Sequence, residues 1–283
     1  MKYAGLYVNM DRNPERREKI EAELARVGLG GKYERFRASE GNELGFLASN
    51  LKDGEVGCFS SHYRIMAEKA GGKLPLHVIE DDIVLSAPLE PMLDRLVDSG
   101  NLAQYDLVFT DVYIPPEPYF FNLYKKIYDQ NIQHDANGSV SSLSFTLIDM
   151  SGVKEFASTC SFIVNPDSFG KLASLFEQEL KRGARLPVDL FMREMCYAGH
   201  IKIGCMFPFL TSIPVESDYS TNITGRFDPS LLFAMSLMRH SFYIECDMKR
   251  CLDEASRHLP QPAEGDLHRQ LMMRLLGYTI ERG

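Results

Sequence analysis

Residues Leu74 to Leu85 read Leu-Pro-Leu-His-Val-Ile-Glu-Asp-Asp-Ile-Val-Leu, an apolar run broken by three consecutive carboxylates, Glu80, Asp81 and Asp82. Acids inside a hydrophobic stretch are costly unless something cationic meets them. If residues 74 to 79 form a buried strand, its period of two sends Glu80 and Asp82 to one face and Asp81 to the other. The result is a carboxylate pair at a strand's carboxyl end, where open α/β sheets take their ligands. Hard divalent cations such as Mg²⁺ and Mn²⁺ prefer carboxylate oxygens, so this spacing offers a metal-phosphate site on Glu80 and Asp82. The plainer alternative is a solvated acidic turn.

Other residues could join such a site. Asp111 lies in a second apolar run, Tyr105 to Tyr113. Asp189 follows Pro187 into the first turn of a helix, where the dipole favours a carboxylate whether or not it has a function. Arg12, Arg16 and Arg17 follow the first strand and could meet phosphate, or form a solvated helical turn. Ser61 and His62 lie one turn into a helix that opens with Gly54 and Gly57, small residues that let a ligand or backbone approach closely. A histidine on such an apolar helix is more often a hydrogen-bonded core residue than a ligand contact. Glu216 and Asp218 add two acids in a polar loop.

Positioning these groups requires alternating strands and helices. Residues 3 to 10, rich in Tyr and Val, read as a buried strand. Asn13 can then cap a helix with Pro14 at its first position and Ile20, Leu24 and Val27 at helical spacing, until Gly28 stops it. A second strand spans Tyr33 to Ala38, and Val56, Phe59, Tyr63, Met66 and Ala70 follow helical periodicity. Pro88 to Asp98 is a further helix, Ser161 to Val164 a strand, and Asn165 caps a helix with Pro166 in its first turn. Ile201 to Phe207 is the last strand. This alternation predicts an α/β fold with a mostly parallel sheet. Residues 114 to 142, with Pro115, Pro116, Pro118 and several aromatics, read as a long loop suited to a sugar or a lid, or as a surface excursion packed by its own aromatics. From Asp228 onward the pattern is helical and Met-rich, and its apolar positions could pack on the domain, on a second subunit, or on a membrane surface.

Composition narrows the classes. At 283 residues and 45% hydrophobic, the chain can bury a sizeable core. No stretch approaches the about 18 consecutive apolar residues of a membrane span. Met1 to Asp11 lacks the features of a signal peptide and reads as a first strand. The six cysteines form no CxxC and flag no zinc site by spacing with histidine, so reduced thiols and a cytoplasmic location are expected. A formal charge of -8 argues against a nucleic-acid partner.

Taken in order, Tyr7-Val8-Asn9-Met10-Asp11-Arg12 with Pro14-Glu15-Arg16-Arg17, then Gly54-Glu55-Val56-Gly57-Cys58-Phe59-Ser60-Ser61-His62, then Ile79-Glu80-Asp81-Asp82, then Pro187-Val188-Asp189, resemble glycosyltransferase family 25. That family includes bacterial lipopolysaccharide and lipooligosaccharide β-galactosyltransferases. The resemblance, which runs from residue 3 to about 222, implies a GT-A type, Rossmann-like nucleotide-sugar-binding fold; the catalytic domain is then residues 1–224, and 225–283, helical by its own pattern, is a C-terminal extension. It implies a UDP-sugar donor, typically UDP-galactose, inversion at the anomeric carbon, and Mn²⁺ or Mg²⁺ on Glu80 and Asp82 as a DxD-type motif. Asn9, Arg12, Ser61 and His62 are then expected near the nucleotide, and Asp81 is expected to face the donor's ribose or a structural partner. Asp189 is the first choice for general base and Asp111 the second, while Asp218 either completes the metal shell or contacts the acceptor. Glu216 is expected to face that acceptor, an oligosaccharide or lipid-linked glycan. The family's usual Gly-Thr-x-Ala-Tyr segment is Ser158-Thr159-Cys160-Ser161-Phe162 here, and residues 113 to 157 match no motif of the family. The extension leaves room for a homodimer or peripheral contact with the inner face of the plasma membrane. The rival readings are a metal-independent carboxylate-pair glycoside hydrolase and a non-catalytic nucleotide-sugar-binding protein.

Overall fold

Strand and helix alternate from the start of the computed structural model, which describes residues 2–47, 49–113, 132–134, 140–153, 155–214, 239–247 and 249–250. The strand β1 (Ala4–Asn9) leads into α1 (Pro14–Arg26), β2 (Tyr33–Arg37), α2 (Asp53–Glu68) and β3 (Leu76–Glu80). Next come β4 (Val84–Leu85), α3 (Leu89–Asp98), β5 (Leu107–Phe109), β6 (Ile132–His134), β7 (Val140–Leu143), β8 (Thr146–Asp149) and β9 (Ser161–Val164). The series closes with α4 (Phe169–Lys181), α5 (Val188–Tyr197), β10 (Ile203–Phe207) and β11 (Thr211–Ser212).

The main sheet has seven strands in the order β2-β1-β3-β9-β5-β10-β8. Strands β2, β1, β3, β5 and β10 share one direction, while β9 and β8 run against it. The sheet is therefore mostly parallel, as the alternation predicts, with β9 inserted antiparallel between β3 and β5. Each buried strand carries apolar residues on both faces, and the period of two divides them between two cores. Val78, Leu107, Phe109, Phe162 and Val164 pack with α2, α4 and α5 through Phe59, Phe176 and Phe191. Ile79, Val108 and Ile163 pack on the other face with Ile20 and Leu24 of α1 and Leu93 and Leu96 of α3. Helices thus cover both faces in a three-layer α/β/α arrangement.

Local chemistry agrees with the sequence at most element ends. Pro14 opens α1, and Gly28, at φ +78°, follows its end. Asn13 differs from expectation: its side chain caps nothing, and its backbone oxygen instead accepts from Arg17 N at 3.2 Å and from Asn9 Nδ2 at 3.1 Å. Asn165 Oδ1 does accept, from Asp167 N at 3.1 Å, but the turn it caps is a short 3₁₀ segment that precedes α4. Residues 239–247 return to the sheet end. There Phe209 N donates to Phe242 O at 2.8 Å, Ile244 N donates to Phe209 O at 3.0 Å, and Phe242 enters the core. The remainder of the expected helical extension, from Asp228 onward, and most of the loop from 114 to 142 lie outside the described residues.

Candidate active site

The parallel register sets Val8 beside Glu80, so Asn9 at the end of β1 meets Asp81 just past the end of β3. Asn9 is buried, and its amide is fully engaged: Nδ2 donates to Asp81 Oδ2 at 2.6 Å, and Oδ1 accepts from Arg35 Nε at 3.0 Å. The cation that the acidic run calls for is Arg16. Its Nη1 reaches Asp81 Oδ1 and Asp82 Oδ2, both at 3.1 Å, from the first turn of α1. Arg12 pairs with Glu40 at 2.9 Å on the cavity rim, and Arg17 pairs with Glu21 at 2.8 Å.

Strand β9 brings in the second wall. Its antiparallel register sets Ser161 beside Ile79, so residues 158 to 160 run along the end of β3, and Glu80 N donates to Cys160 O at 2.8 Å. Thr159 Oγ1 donates to Glu80 Oε1 at 2.8 Å. Ser158 has φ 124°, a strained value for a residue with a side chain, and its amide donates to Asp189 Oδ2 at 3.2 Å. Asp189 Oδ1 accepts from Leu190 N at 2.8 Å. The third wall is α2. Ser61 Oγ accepts from Ser39 N at 2.8 Å and donates to Gly57 O at 2.7 Å, which fastens the loop after β2 to the helix.

These walls enclose a cavity of about 600 Å³ lined by Asn9, Arg12, Arg16, Ser61, His62, Glu80, Asp81, Asp82, Thr159 and Asp189, among others. Asp81 and Asp82 lie in the turn past β3, and all three acids border the cavity. Asp81 turns to Asn9 and Arg16, while ligand atoms of Glu80, Asp82 and Cys160 lie within 4.8 Å of one another. Asp82 Oδ1 is buried without a hydrogen-bond partner. An orphaned carboxylate oxygen facing a second carboxylate fits a hard divalent cation.

Burial separates the acids electrostatically. It pushes Asp82 up to about 6, helped by the neighbouring charge of Glu80. Burial also pushes Glu80 upward, but His62 and the Thr159 hydroxyl outweigh it and leave Glu80 below its ordinary value. Asp189 and Asp81 are both raised, chiefly by burial.

Asp111 is not brought to the cavity. It is buried against Arg239, whose Nε donates to Oδ2 at 2.7 Å and whose Nη2 also contacts it. Glu216 and Asp218 lie outside the described residues. Sequence reasoning missed Cys58, Thr159, Cys160 and Arg239. Cys58 precedes His62 by one helical turn, so the expectation that no cysteine stands at metal-ligand spacing from a histidine fails there; Thr159 and Cys160 gain meaning only once β9 lies beside β3.

A family model described as Glycosyltransferase family 25 (LPS biosynthesis protein) matches residues 5–192. A protein of Drosophila melanogaster, named Glycosyltransferase 25 family member, is 32% identical over 122 residues, covering 36% of this chain and 20% of its own. One of the same name from Drosophila pseudoobscura pseudoobscura is 30% identical over 122 residues, covering 36% of this chain and 19% of its own. The chain therefore spans about a fifth of the length of these curated relatives. Among solved structures, the galactosyltransferase LgtC in complex with donor and acceptor sugar analogs overlays at a TM-score of 0.38 and 12% identity, over 92% of this chain and 98% of that one. UDP-glucose pyrophosphorylase complexed with UDP-glucose overlays at a TM-score of 0.32 and 12% identity, over 71% of this chain and 72% of that one.

Proposed function

The chain belongs to glycosyltransferase family 25, and on that footing we propose that its cavity transfers a hexosyl group, galactose first among candidates, from a UDP-sugar to a hydroxyl of a glycan acceptor with inversion. The observation that carries this reading is the convergence of Glu80 and the orphaned Asp82 Oδ1 in one cavity at the carboxyl end of β3. Glu80 and Asp82 would hold Mn²⁺ or Mg²⁺, with Asp218 as a further ligand or an acceptor contact. When bound, such a cation neutralises charge developing on the leaving diphosphate.

The chain's own residues do the rest. Asn9 and Arg16 hold the acidic turn in place, and Arg16 takes Asp82 Oδ2 and leaves Oδ1 free. Thr159 orients Glu80 from the opposite wall. Arg12, Ser61, His62 and Asp81 border the nucleotide. Asp189 takes the proton of the acceptor hydroxyl as that oxygen attacks the anomeric carbon, and burial raises its basicity toward the working range of a general base. An oligosaccharide or lipid-linked acceptor contacting Glu216, a cytoplasmic location and a role in bacterial surface-glycan synthesis belong to the same proposal.

The test measures UDP release and transfer from a panel of UDP-sugars, with Mn²⁺, Mg²⁺ or chelator, in wild type and Asp82→Ala. Metal-dependent transfer is expected in wild type, with a loss of about 100-fold or more in the variant, several kcal/mol of transition-state stabilisation. Circular dichroism of the variant should match wild type. Full transfer in chelator, or by Asp82→Ala, overturns the metal role. Release of free sugar from an oligosaccharide in chelator would point to hydrolysis instead.

A further inference from the structure

On the α2 side of the cavity, Cys58 Sγ, a ring nitrogen of His62 and a carboxylate oxygen of Glu80 all lie within 4.8 Å of one another. Cys58 and His62 share a helix face, one turn apart, and Glu80 closes the triangle from β3. His62 is only 2% exposed, yet its Nδ1 has no hydrogen-bond partner and its Nε2 stands 3.9 Å from Glu80 Oε1, beyond hydrogen-bond length. A core histidine is ordinarily satisfied, and here the imidazole stands beside a thiol and a carboxylate at metal-ligand spacing without a hydrogen bond to either, which leaves room for a ligand among the three.

We propose that Cys58, His62 and Glu80 form a site for a borderline-soft divalent cation, Zn²⁺ by its chemistry, that shares Glu80 with the Glu80/Asp82 pair. Sulfur, imidazole nitrogen and carboxylate oxygen are the donor types zinc takes, and tetrahedral zinc places them about 3.5 Å apart, a small contraction from the observed triangle. Three protein ligands beside an open cavity leave a fourth position for water or a ligand. The thiol proton passes to solvent as the thiolate binds. Because Glu80 serves both positions, zinc and a hard cation compete for it. The inference rests on cavity geometry and not on glycosyl transfer, so its test reads metal binding without turnover.

Co²⁺ added to the full chain serves as a spectroscopic stand-in for zinc. A thiolate-to-cobalt charge-transfer band in the near ultraviolet is expected, displaced by Zn²⁺, lost in Cys58→Ser, weakened in His62→Gln and kept in Cys160→Ser. No band in wild type, or a band that survives Cys58→Ser, overturns the proposal. A readout that needs no variant is alkylation of wild type by iodoacetamide, followed by peptide mass spectrometry. Zn²⁺ should slow modification of Cys58 at least tenfold while Mg²⁺ does not, and equal rates with the two ions also overturn it.

Discussion

Asp189 engages both carboxylate oxygens with backbone amides, those of Ser158 and Leu190, so it anchors the strained turn at Ser158 while bordering the cavity. Asp189→Asn presents an NH₂ to one of those amides and should cost about 1–3 kcal/mol in urea unfolding. If Asp189 is the base, kcat falls about 100- to 10,000-fold while UDP-sugar affinity, read by calorimetry, stays within about threefold. Unchanged turnover would move the base elsewhere. His77 is a second case where burial dictates behaviour. Its Nδ1 meets Tyr33 Oη at 2.6 Å, its Nε2 meets Ser161 Oγ at 3.1 Å, and burial lowers its pKa from 6.5 to about 3. The depressed value sets the sign: above pH 6.5 neither state binds this proton, and below it the unfolded chain takes up a proton the fold refuses. Stability from this group is lost as pH falls, by about 1.4 kcal/mol per pH unit until near pH 3. The stability gap between wild type and His77→Gln should therefore shrink between pH 7 and pH 5; a flat gap means His77 is charged in the fold.

The fit between α2 and the loop after β2 decides how one cavity wall stands. A Cβ on Gly57 would meet Ser39 O at 2.6 Å and Gly41 N at 3.0 Å, both backbone atoms, and the Ser61 to Ser39 hydrogen bond lies in the same seam. Gly57→Ala should destabilise by about 1–3 kcal/mol and weaken UDP binding, whereas Gly30→Ala, whose nearest contact would be 3.7 Å, stays within about 0.5 kcal/mol. Equal behaviour of the two variants in urea unfolding and calorimetry would remove the steric argument. The run from β1 to β3 was readable at this scale because proline, glycine and the two periodicities mark each element. The direction of β9 was not: Ser161 to Val164 are all buried, and a strand buried on both faces carries no pattern that distinguishes parallel from antiparallel. Thr159 and Cys160 were missed for that reason.

Contacts across the whole chain also hold the carboxyl end of the sheet behind the cavity, past β5. Asp111 and Arg239, 128 positions apart, form a fully buried ion pair, with the guanidinium 4.5 Å from the Tyr113 ring centroid. Such a partnership has no local signal, so Asp111 read from sequence as a possible base. Arg239→Met strands the carboxylate and should cost about 3–5 kcal/mol, with part of the loss recovered when Asp111→Leu is added. A urea-unfolding loss under about 1 kcal/mol would mean the pair is not buried as described. Strand β9 is synthesised after both of its neighbours, β3 and β5, and 79 positions separate Thr159 from Glu80. On a growing chain, β3 waits with an open edge and β5 emerges first to compete for it. The acidic turn thus stays without its second wall until the late strand displaces or forestalls that early pairing.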